Sequence, residues 1–369
     1  MILTKVLRRS TVLLLVAVAG VATLIVTSAT ASTQKKAASG DVCVLFPDPA
    51  TSIRWVNYDA PAMKASLKAS GVTAQIYNAG GDAQKQKAQA DQCLGNGAKV
   101  IVEVAIDAGS AAAIEKTAKA KGIPSIDYDR QTVGGVAKIY VSFDGKREGV
   151  LIGQAVVKGL KANGKYSQHP VVAEVNGSKT DANALLFKAG YDSVLNPLYK
   201  NGTFKKGPDQ FVPLWNNQTA GTIFDQMLVR TGNHIDGVAV ANDGMAGAVI
   251  ASLKKHGLKP IPVAAGDATP QGFQNIISGW QTMTVWKDTR KLAKAAALEA
   301  IALVNHKPLK TVCAGDVDCK NGSVANGSKR EPAYIVPPVA LYKSNWKQII
   351  TSGFLTKGQI CIGEFKKYC

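Results

Sequence analysis

The sequence of 369 residues predicts an α/β protein with two doubly wound parallel sheets and a ligand cleft between them. Short apolar runs alternate with helix-like segments, and this alternation runs through the chain twice in succession. The runs are apolar throughout, as is typical of parallel strands covered by helices on both faces. Each run stops at a polar residue, at the strand end where open α/β sheets bind ligands.

The first 31 residues have the pattern of a cleaved export signal. Basic residues precede the apolar run TVLLLVAVAGVATLIV, and an Ala-Thr-Ala cleavage motif ends at residue 31. A retained membrane anchor is the alternative, but the run is short for a span and the cleavage motif follows it directly. No cysteine follows the run, so we do not expect lipid attachment. We predict a signal peptide over 1–31 and a periplasmic protein.

The charge and composition favour a globular protein over a nucleic-acid binder. The net charge of +18 falls to +15 when the three basic residues of the signal are removed (18 − 3). The other Lys and Arg residues are spread singly and in pairs, and no segment concentrates them with aromatic residues. With 46% hydrophobic and 19% charged residues, the chain has the composition of a protein with a full core. We expect a monomer without a nucleic-acid partner.

Six cysteines in an exported chain predict disulfide bonds. Their spacings do not match zinc sites, and the sequence has no C-x-x-C motif. Locality suggests two short bridges and leaves a third pair that ties the first strand to the second helix. Free buried cysteines are the less favoured alternative. The expected pairs are Cys313–Cys319, Cys361–Cys369 and Cys43–Cys93.

The first alternating run begins after a leader that ends near residue 40. Its strands are predicted at DVCVLFPDP (41–49), TAQIY (73–77), KVIVEVA (99–105), SIDYDR (125–130) and KIYVSFDG (138–145). Helices are expected between them at 61–70, 82–94 and 110–121. Asp82 is a suitable N-cap, and Gly71 and Gly95 follow the ends of two helices.

The second run restarts with a helix at 148–161. Its strands are predicted at HPVVAEVNG (169–177), DQFVPLW (209–215), VAVAN (238–242), VAAGD (263–267) and QTMTVWK (281–287). Helices are expected at 182–198, with Thr180 or Asp181 as the cap, at 219–230 and at 289–305.

The boundary between the runs falls near 142–144, and a different composition begins at residue 307. Residues 307–333 are rich in Pro, Gly, Asn, Asp and Ser, which is typical of loops. The following AYIVPPVALY is interpreted either as a strand or as a crossing between lobes. The predicted parts are an N-terminal lobe (41–142 plus 288–306), a C-terminal lobe (143–287 plus 334–360) and a disulfide-stapled surface insertion (307–333).

No familiar catalytic motif is present. The sequence lacks G-x-S-x-G, H-E-x-x-H and Walker A patterns. Its four histidines are scattered over predicted loops and helix ends, which favours solvated side chains over a metal site. Lys287 is a conceivable Schiff-base lysine, but its charged neighbours favour a hydrogen-bonding role. We therefore expect no catalytic residues, no metal and no cofactor.

The residues at the predicted strand ends are of the types that suit a sugar ligand. Carboxylate, amide, guanidinium and ammonium groups bond hydroxyls strongly, and indole rings cover the C–H faces of a sugar ring. Each residue alone has a simpler explanation as a cap, turn or ion pair, but eight at strand ends favour a binding site. They are Arg54, Trp55, Asp129, Arg130, Trp215, Asn242, Asp267 and Lys287.

These residues lie in segments whose order and spacing resemble the ribose/galactose-type periplasmic sugar-binding components of ABC transporters, chiefly the xylose-binding branch. The likeness runs from about residue 41 to about residue 353. The matching segments are RW at 54–55, YDR at 128–130, SFD at 142–144, LFKAG at 186–190, AxND at 240–243, GDA at 266–268 and QTMTVWK at 281–287.

The resemblance implies a type I periplasmic binding protein fold, with three crossings between its lobes, and a monosaccharide ligand such as D-xylose or a related aldose. It implies an ABC permease as the membrane partner. It adds Asp144 to the eight binding residues and makes Phe211 a rival of Trp215. The family commonly has Asn where this chain has Gly145. The insertion 307–333 and the tail closed by Cys361 and Cys369 are further departures.

Three alternatives belong to other classes. Sugar-responsive transcription regulators share the fold, but the export signal and the lack of a helix-turn-helix before residue 41 count against that class. An exported sugar enzyme would turn its ligand over. A sensing protein would present bound sugar to a chemoreceptor or sensor kinase, and would differ from a transport protein only in its partner.

Overall fold

The structure, a computed structural model, describes residues 40–49, 52–313 and 319–369. The predicted signal peptide lies outside these residues. Within them no helix is both long and apolar enough to cross a bilayer. The strands of this described part are β1 (Val42–Phe46), β2 (Ala74–Asn78), β3 (Val100–Glu103), β4 (Ser125–Tyr128), β5 (Ile139–Phe143), β6 (Val171–Asn176), β7 (Lys205–Phe211), β8 (Gly237–Val240), β9 (Val263–Gly266), β10 (Met283–Trp286), β11 (Val312–Cys313), β12 (Ser323–Asn326), β13 (Lys329–Val336) and β14 (Val339–Tyr342).

Helices cover both faces of the sheets, as the apolar character of the strands predicts. A π-helical turn at Trp55–Asp59 runs directly into the first α-helix. The α-helices are α1 (Ala60–Ala69), α2 (Ala83–Gly95), α3 (Ala108–Ala120), α4 (Gly145–Ala162), α5 (Ala182–Lys200), α6 (Asn217–Arg230), α7 (Asp243–Lys255), α8 (Pro270–Ser278), α9 (Thr289–Val304), α10 (Gln348–Thr351) and α11 (Lys357–Ile360).

The strands form two sheets, which confirms the predicted α/β class. The first sheet has the order β11-β13-β5-β4-β3-β1-β2, with β12 paired to β13, and the second has the order β14-β10-β9-β8-β6-β7. All pairs are parallel except β12 with β13 and β14 with β10. Every residue of β1 and β3 is buried, because helices cover both faces.

Strand β13 corrects the predicted parts of the chain. It lies beside β5 in the first sheet, with Ala333 opposite Tyr140 and Val336 opposite Phe143. Residues 329–333 are therefore not a surface insertion, and 334–336 do not belong to the second sheet. The strand is hard to recognise from sequence because Pro332 interrupts it and its burial alternates along the chain. Its partner strand precedes it by slightly more than half the length of the chain.

Within the described ranges, three short segments carry the chain between the two sheets. Asp144 alone separates β5 from α4, and residues 287–288 separate β10 from α9. Pro337-Pro338 separates β13 of the first sheet from β14 of the second. Helix α9 packs on the first sheet, since Leu292 and Ala296 share a core with β1 and β3.

The three disulfide bonds form as predicted from locality. Cys43–Cys93 joins β1 to α2 inside a fully buried cluster. Cys313–Cys319 brackets the undescribed residues 314–318, and Cys361–Cys369 closes the C-terminal tail. The tail packs on α8, where Phe273 and Ile360 are both fully buried.

Candidate functional site

A cavity of about 40 Å³ lies between the sheets, at the carboxyl ends of their parallel strands. It is the place where open α/β sheets bind ligands. Eight of the nine predicted binding residues line it. The full lining is Ser52, Arg54, Trp55, Asp129, Arg130, Asp181, Asn183, Phe187, Trp215, Asn242, Asp267 and Lys287.

Arg54 and Trp55 reach the cavity from the turn that follows β1. The Arg54 guanidinium bonds both oxygens of Asp59, at 3.1 and 2.7 Å, and Nη1 donates to Asp129 at 2.6 Å. Burial raises the pKa of Asp59, although the Arg54 charge opposes this. The guanidinium carbon also lies 4.2 Å from the centroid of the Trp55 ring. These contacts hold the arginine and the indole in fixed positions at the cavity wall.

Asp129 and Arg130 follow β4 and carry opposite charges into the site. Burial by itself raises the pKa of Asp129, but Arg54, Lys287 and Arg130 outweigh it and lower the pKa. The carboxylate is therefore ionised and accepts hydrogen bonds only. Arg130 Nε lies 2.8 Å from Asp181, which is on the loop after β6. This ion pair joins the two lobes across the cavity.

Two indole rings flank the cavity, one from each lobe. The guanidinium carbon of Arg130 lies 5.8 Å from the ring centroid of Trp55 and 5.9 Å from that of Trp215. Trp215 Nε1 donates to Asp181 at 2.9 Å. Trp55 Nε1 is buried and has no hydrogen-bond partner among the described residues. Gly177 makes room for the Trp215 ring, because a Cβ at that position would overlap it.

The second lobe contributes an amide, a carboxylate and an ammonium group. Asn242 caps α7 by accepting a hydrogen bond from the Met245 amide at 2.9 Å, and it also lines the cavity. Lys287 Nζ lies 3.1 Å from Asp267 and bonds both oxygens of Glu148 at 2.8 and 2.9 Å. Burial lowers the pKa of Lys287, but Glu148 and Asp267 more than compensate and raise it. Lys287 is therefore a charged donor.

Three residues of the cavity lining have strained backbone. Asp129, Trp215 and Asp267 have φ angles of 65°, 57° and 98°, in the left-handed region that side chains other than glycine rarely adopt. Each such residue costs on the order of 1–3 kcal/mol, and it persists only where the surrounding structure holds it in place. The packing around the cavity therefore fixes the orientation of these three side chains.

Asp144 is the one predicted binding residue that does not reach the cavity. It is fully buried and caps α4 by accepting from the Arg147 amide at 2.9 Å. A Cβ on Gly145 would lie 3.2 Å from Leu186 and 3.3 Å from Phe187, so an asparagine side chain would be crowded there. The structure gives Asp144 a capping role, and its part in ligand binding stays a prediction.

Four lining residues are missing from the prediction. Asp181 and Asn183 follow β6, so the strand-end argument used for the other strands applies to them equally. Phe187 lies one turn further along α5 and packs edge-on against Trp215, with centroids 6.1 Å apart. Ser52 belongs to a polar loop, and no feature of the sequence distinguishes it there as a residue of the cavity. The rival Phe211 ends β7 and does not line the cavity.

Polar groups of the two lobes satisfy one another across the cavity. Asn183 Nδ2 donates to the carbonyl of Asp129 at 3.0 Å and to its carboxylate at 3.1 Å. Ser52 donates to Asp267 at 3.3 Å. The lobes are thus drawn together, and a polyhydroxyl ligand would exchange these bonds for its own.

The chemistry of the cavity is that of hydroxyl binding. Among the described residues, no group of three or more His, Cys, Asp or Glu side chains is arranged to hold a metal. A larger cavity of about 570 Å³ lies at the amino ends of β3 and β4, with Lys99, Lys119, Lys138 and Lys307 in its lining. Those lysines are exposed, and the cavity contains none of the strand-end residues.

Comparisons with known proteins agree with this geometry. A family model described as a periplasmic binding protein domain matches residues 44–308. The D-xylose-binding periplasmic protein of Haemophilus influenzae is 32% identical over 297 residues, which cover 79% of this chain and 85% of the relative. A multiple sugar-binding periplasmic protein of Azospirillum brasilense is 32% identical, covering 84% of this chain and 88% of its own.

A solved structure has the same two-lobed architecture. An ABC transporter solute-binding protein from Clostridium phytofermentans with bound β-D-glucose superposes with a TM-score of 0.76 at 26% identity, covering 86% of this chain and 99% of that one. The fold is thus the type I periplasmic binding protein fold that the sequence predicts. With a family model matching most of its length, this chain belongs to the periplasmic binding protein family.

Proposed function

We propose that this protein is the substrate-binding component of an ABC sugar importer. The observation that carries the proposal is the convergence of two indole rings and several charged or amide side chains, from both lobes, on one cavity. Indoles cover the C–H faces of a sugar ring, and charge-assisted hydrogen bonds hold its hydroxyls. The proposed ligand contacts are Arg54, Trp55, Asp129, Arg130, Trp215, Asn242, Asp267 and Lys287.

The proposed ligand is a monosaccharide, most directly D-xylose or a related aldose. Relatives that are 31–32% identical are named for D-xylose or for multiple sugars, and a structural neighbour holds glucose. Pentoses and hexoses differ in one hydroxymethyl group. The side chains around the hydroxymethyl position would determine whether a pentose or a hexose binds, because they either fill the space that this group needs or leave it open.

Binding would work by closure of the lobes. The ion pair of Arg130 with Asp181 and the hydrogen bond of Ser52 with Asp267 already bridge them. A sugar that contacts both lobes at once favours the closed form, because its contacts are complete only there. The permease would recognise that closed form.

Catalysis is not part of the proposal. A Schiff-base lysine needs a neutral amine, whereas Glu148 and Asp267 raise the pKa of Lys287 and keep it charged. Incubation with xylose, followed by chromatography of the sugar, checks this directly. Any turnover would contradict a pure binding role.

The proposal includes export to the periplasm after removal of residues 1–31, and a monomer in solution. The proposed first lobe consists of residues 41–142, 288–306 and 329–336. The proposed second lobe consists of residues 143–287 and 339–360. Sequencing of the secreted N-terminus checks the cleavage site. Light scattering checks the monomer.

Calorimetric titration with pentoses and hexoses tests the function, after a thermal-shift screen has identified which sugars stabilise the protein. Asp267→Asn removes one charge-assisted bond and should cost about 2 kcal/mol, or roughly thirtyfold in affinity. Asp91→Asn, on the exposed face of α2, is the matched control and should change nothing. If no monosaccharide binds, or if Asp267→Asn binds like the parent, the proposal is wrong.

A sensing role is the second candidate. A relative from Rhizobium radiobacter, 31% identical over 85% of this chain, is named a multiple sugar-binding periplasmic receptor. Both roles share the sugar-binding step and differ in the membrane partner. Stimulation of the ATPase of a reconstituted permease by the sugar-loaded protein supports transport. If the sugar-loaded protein instead binds a sensor ectodomain and does not stimulate the permease ATPase, its role is sensing and not transport.

A further inference from the structure

Another cavity, of about 380 Å³, adjoins the cavity between the lobes, and Ser52 and Asp267 line both. We call this adjoining cavity the side groove. Its walls come from the first lobe, from the starts of helices α6 and α8, and from the C-terminal tail. The side chains that matter here are Ile53, Asn217, Gln271, Gln274, Gln359 and Ile362.

The lining of the side groove is neutral and suited to hydroxyl groups. Four of its side chains are amides, each able to donate and accept hydrogen bonds. Asp267 is the one charged side chain among the described residues that line it. Ile53 and Ile362 are 39% and 50% exposed, so their methyl groups face the open space. Amide groups with small apolar surfaces match a second sugar ring better than they match an ion.

The outer wall of the side groove is built by the C-terminal tail, through Gln359 and Ile362. Gln274 Nε2 donates to the carbonyl of Ile360 at 3.3 Å, and Ile360 is fully buried. The Cys361–Cys369 disulfide closes the next nine residues into a loop, which fixes Ile362 beside the groove. The tail thus has a defined position at the mouth of the cleft.

We propose that the side groove holds a second sugar unit, so that the ligands include disaccharides as well as monosaccharides. The inference rests on the proposed function, because the first sugar unit occupies the cavity between the two indole rings. Ser52 and Asp267 separate the side groove from the cavity between the lobes. Their hydrogen bond of 3.3 Å is long and therefore easily broken. The glycosidic oxygen passes between them, and the second ring meets the amides of Gln271 and Gln274.

Calorimetric titration with matched sugar pairs tests the proposal. The probes are xylose with xylobiose and glucose with cellobiose. Gln271→Trp fills the groove from an exposed position on α8, and Gln92→Trp on the exposed face of α2 is the control. The parent and Gln92→Trp should bind a disaccharide. Gln271→Trp should weaken that binding at least about tenfold, with the monosaccharide affinity kept within roughly twofold.

Each other outcome has a defined meaning. Binding of a monosaccharide without its disaccharide overturns the side groove and leaves the proposed function intact. Binding of no sugar at all overturns the proposed function itself. Equal disaccharide affinity in Gln271→Trp and the parent shows that the second ring lies elsewhere. Loss of both affinities in Gln271→Trp shows that the groove wall supports the cleft rather than a second ring.

Discussion

Lys287 Nζ bonds both carboxylate oxygens of Glu148, at 2.8 and 2.9 Å, although 139 residues separate them in sequence. Glu148 lies in the first turn of α4, behind the cavity lining, and is almost fully buried. Burial raises its pKa to about 7, while the lysine charge opposes that rise. The pair joins the first turn of α4 to the crossing at residues 287–288, and it holds the ammonium group at the cavity wall.

Glu148→Gln should weaken sugar binding about tenfold, because Lys287 would lose one of its two carboxylate partners and its fixed orientation. Calorimetric titration measures the affinity. Glu364→Gln, on the exposed tail, is the matched control. Unchanged affinity in Glu148→Gln would mean that Asp267 alone orients the lysine.

Gly177→Ala should displace Trp215, since the added methyl group would overlap the indole ring. Loss of one stacking face should lower sugar affinity by about tenfold, with a smaller effect on thermal stability. Gly221→Ala is the matched control, because its Cβ would meet Ala248 at an ordinary 3.6 Å. Calorimetric titration of both variants and of the parent with the sugar measures the three affinities. Equal affinities for all three would show that Trp215 does not contact the sugar.

A group of buried carboxyls lies behind the loop that carries Asp129 and Arg130. Asp127 and Glu115 are fully buried, and Glu331 is 4% exposed. Glu331 accepts hydrogen bonds from Gln131 at 3.1 Å and from Asn326 at 2.9 Å. Burial, reinforced by the Glu115 charge, raises the pKa of Glu331 to about 7, and burial also raises that of Asp127.

Because of these buried carboxyls, we expect the free energy of unfolding to fall as pH rises through the range from about 4.5 to about 7. In that range the unfolded Glu331 has lost its proton while the folded one retains it, so the folded state binds more protons. The melting temperature should therefore be higher at pH 5 than at pH 8. Glu331→Gln should flatten this dependence, whereas Glu364→Gln should leave it as it is. Melting curves across this range that are identical for Glu331→Gln and the parent would contradict the assignment.

The disulfides should differ in their effect on stability. Cys43–Cys93 closes a loop with a separation of 50 residues, and Cys313–Cys319 closes one of 6. By loop entropy the first contributes about 4 kcal/mol and the second about 2 kcal/mol. Chemical unfolding of the two double Cys→Ala variants measures the difference. A larger loss for the 313–319 pair would contradict the entropic explanation.

The strands and helices that sequence predicts well are those with local signals. The run around Val44 is apolar throughout, and Asp82 caps α2 through two backbone amides, so both can be recognised within a few residues. Strand β13 depends on a partner almost 200 residues away and contains Pro332. Its position follows from tertiary pairing, which overrides the loop-like local composition.

The same distinction applies to the candidate site. Asp267 and Asn242 are predictable because they end buried strands at the cleft edge. Asp144 also follows a strand, but one of its carboxylate oxygens accepts a hydrogen bond from the Arg147 amide of α4. The sequence predicts only a capping role for Asp181, whereas its carboxylate caps α5 and also pairs with Arg130. Sequence indicates which residues reach the edge of a sheet, and packing decides which way they face.

The double proline between β13 and β14 determines how the lobes can move. Pro337 and Pro338 each have a fixed φ near −65°, and the other two crossings are only one or two residues long. Under the proposed function, such short crossings would restrict sliding of the lobes and favour their rotation about the crossings. The angle between the lobes would then report ligand binding to the proposed membrane partner.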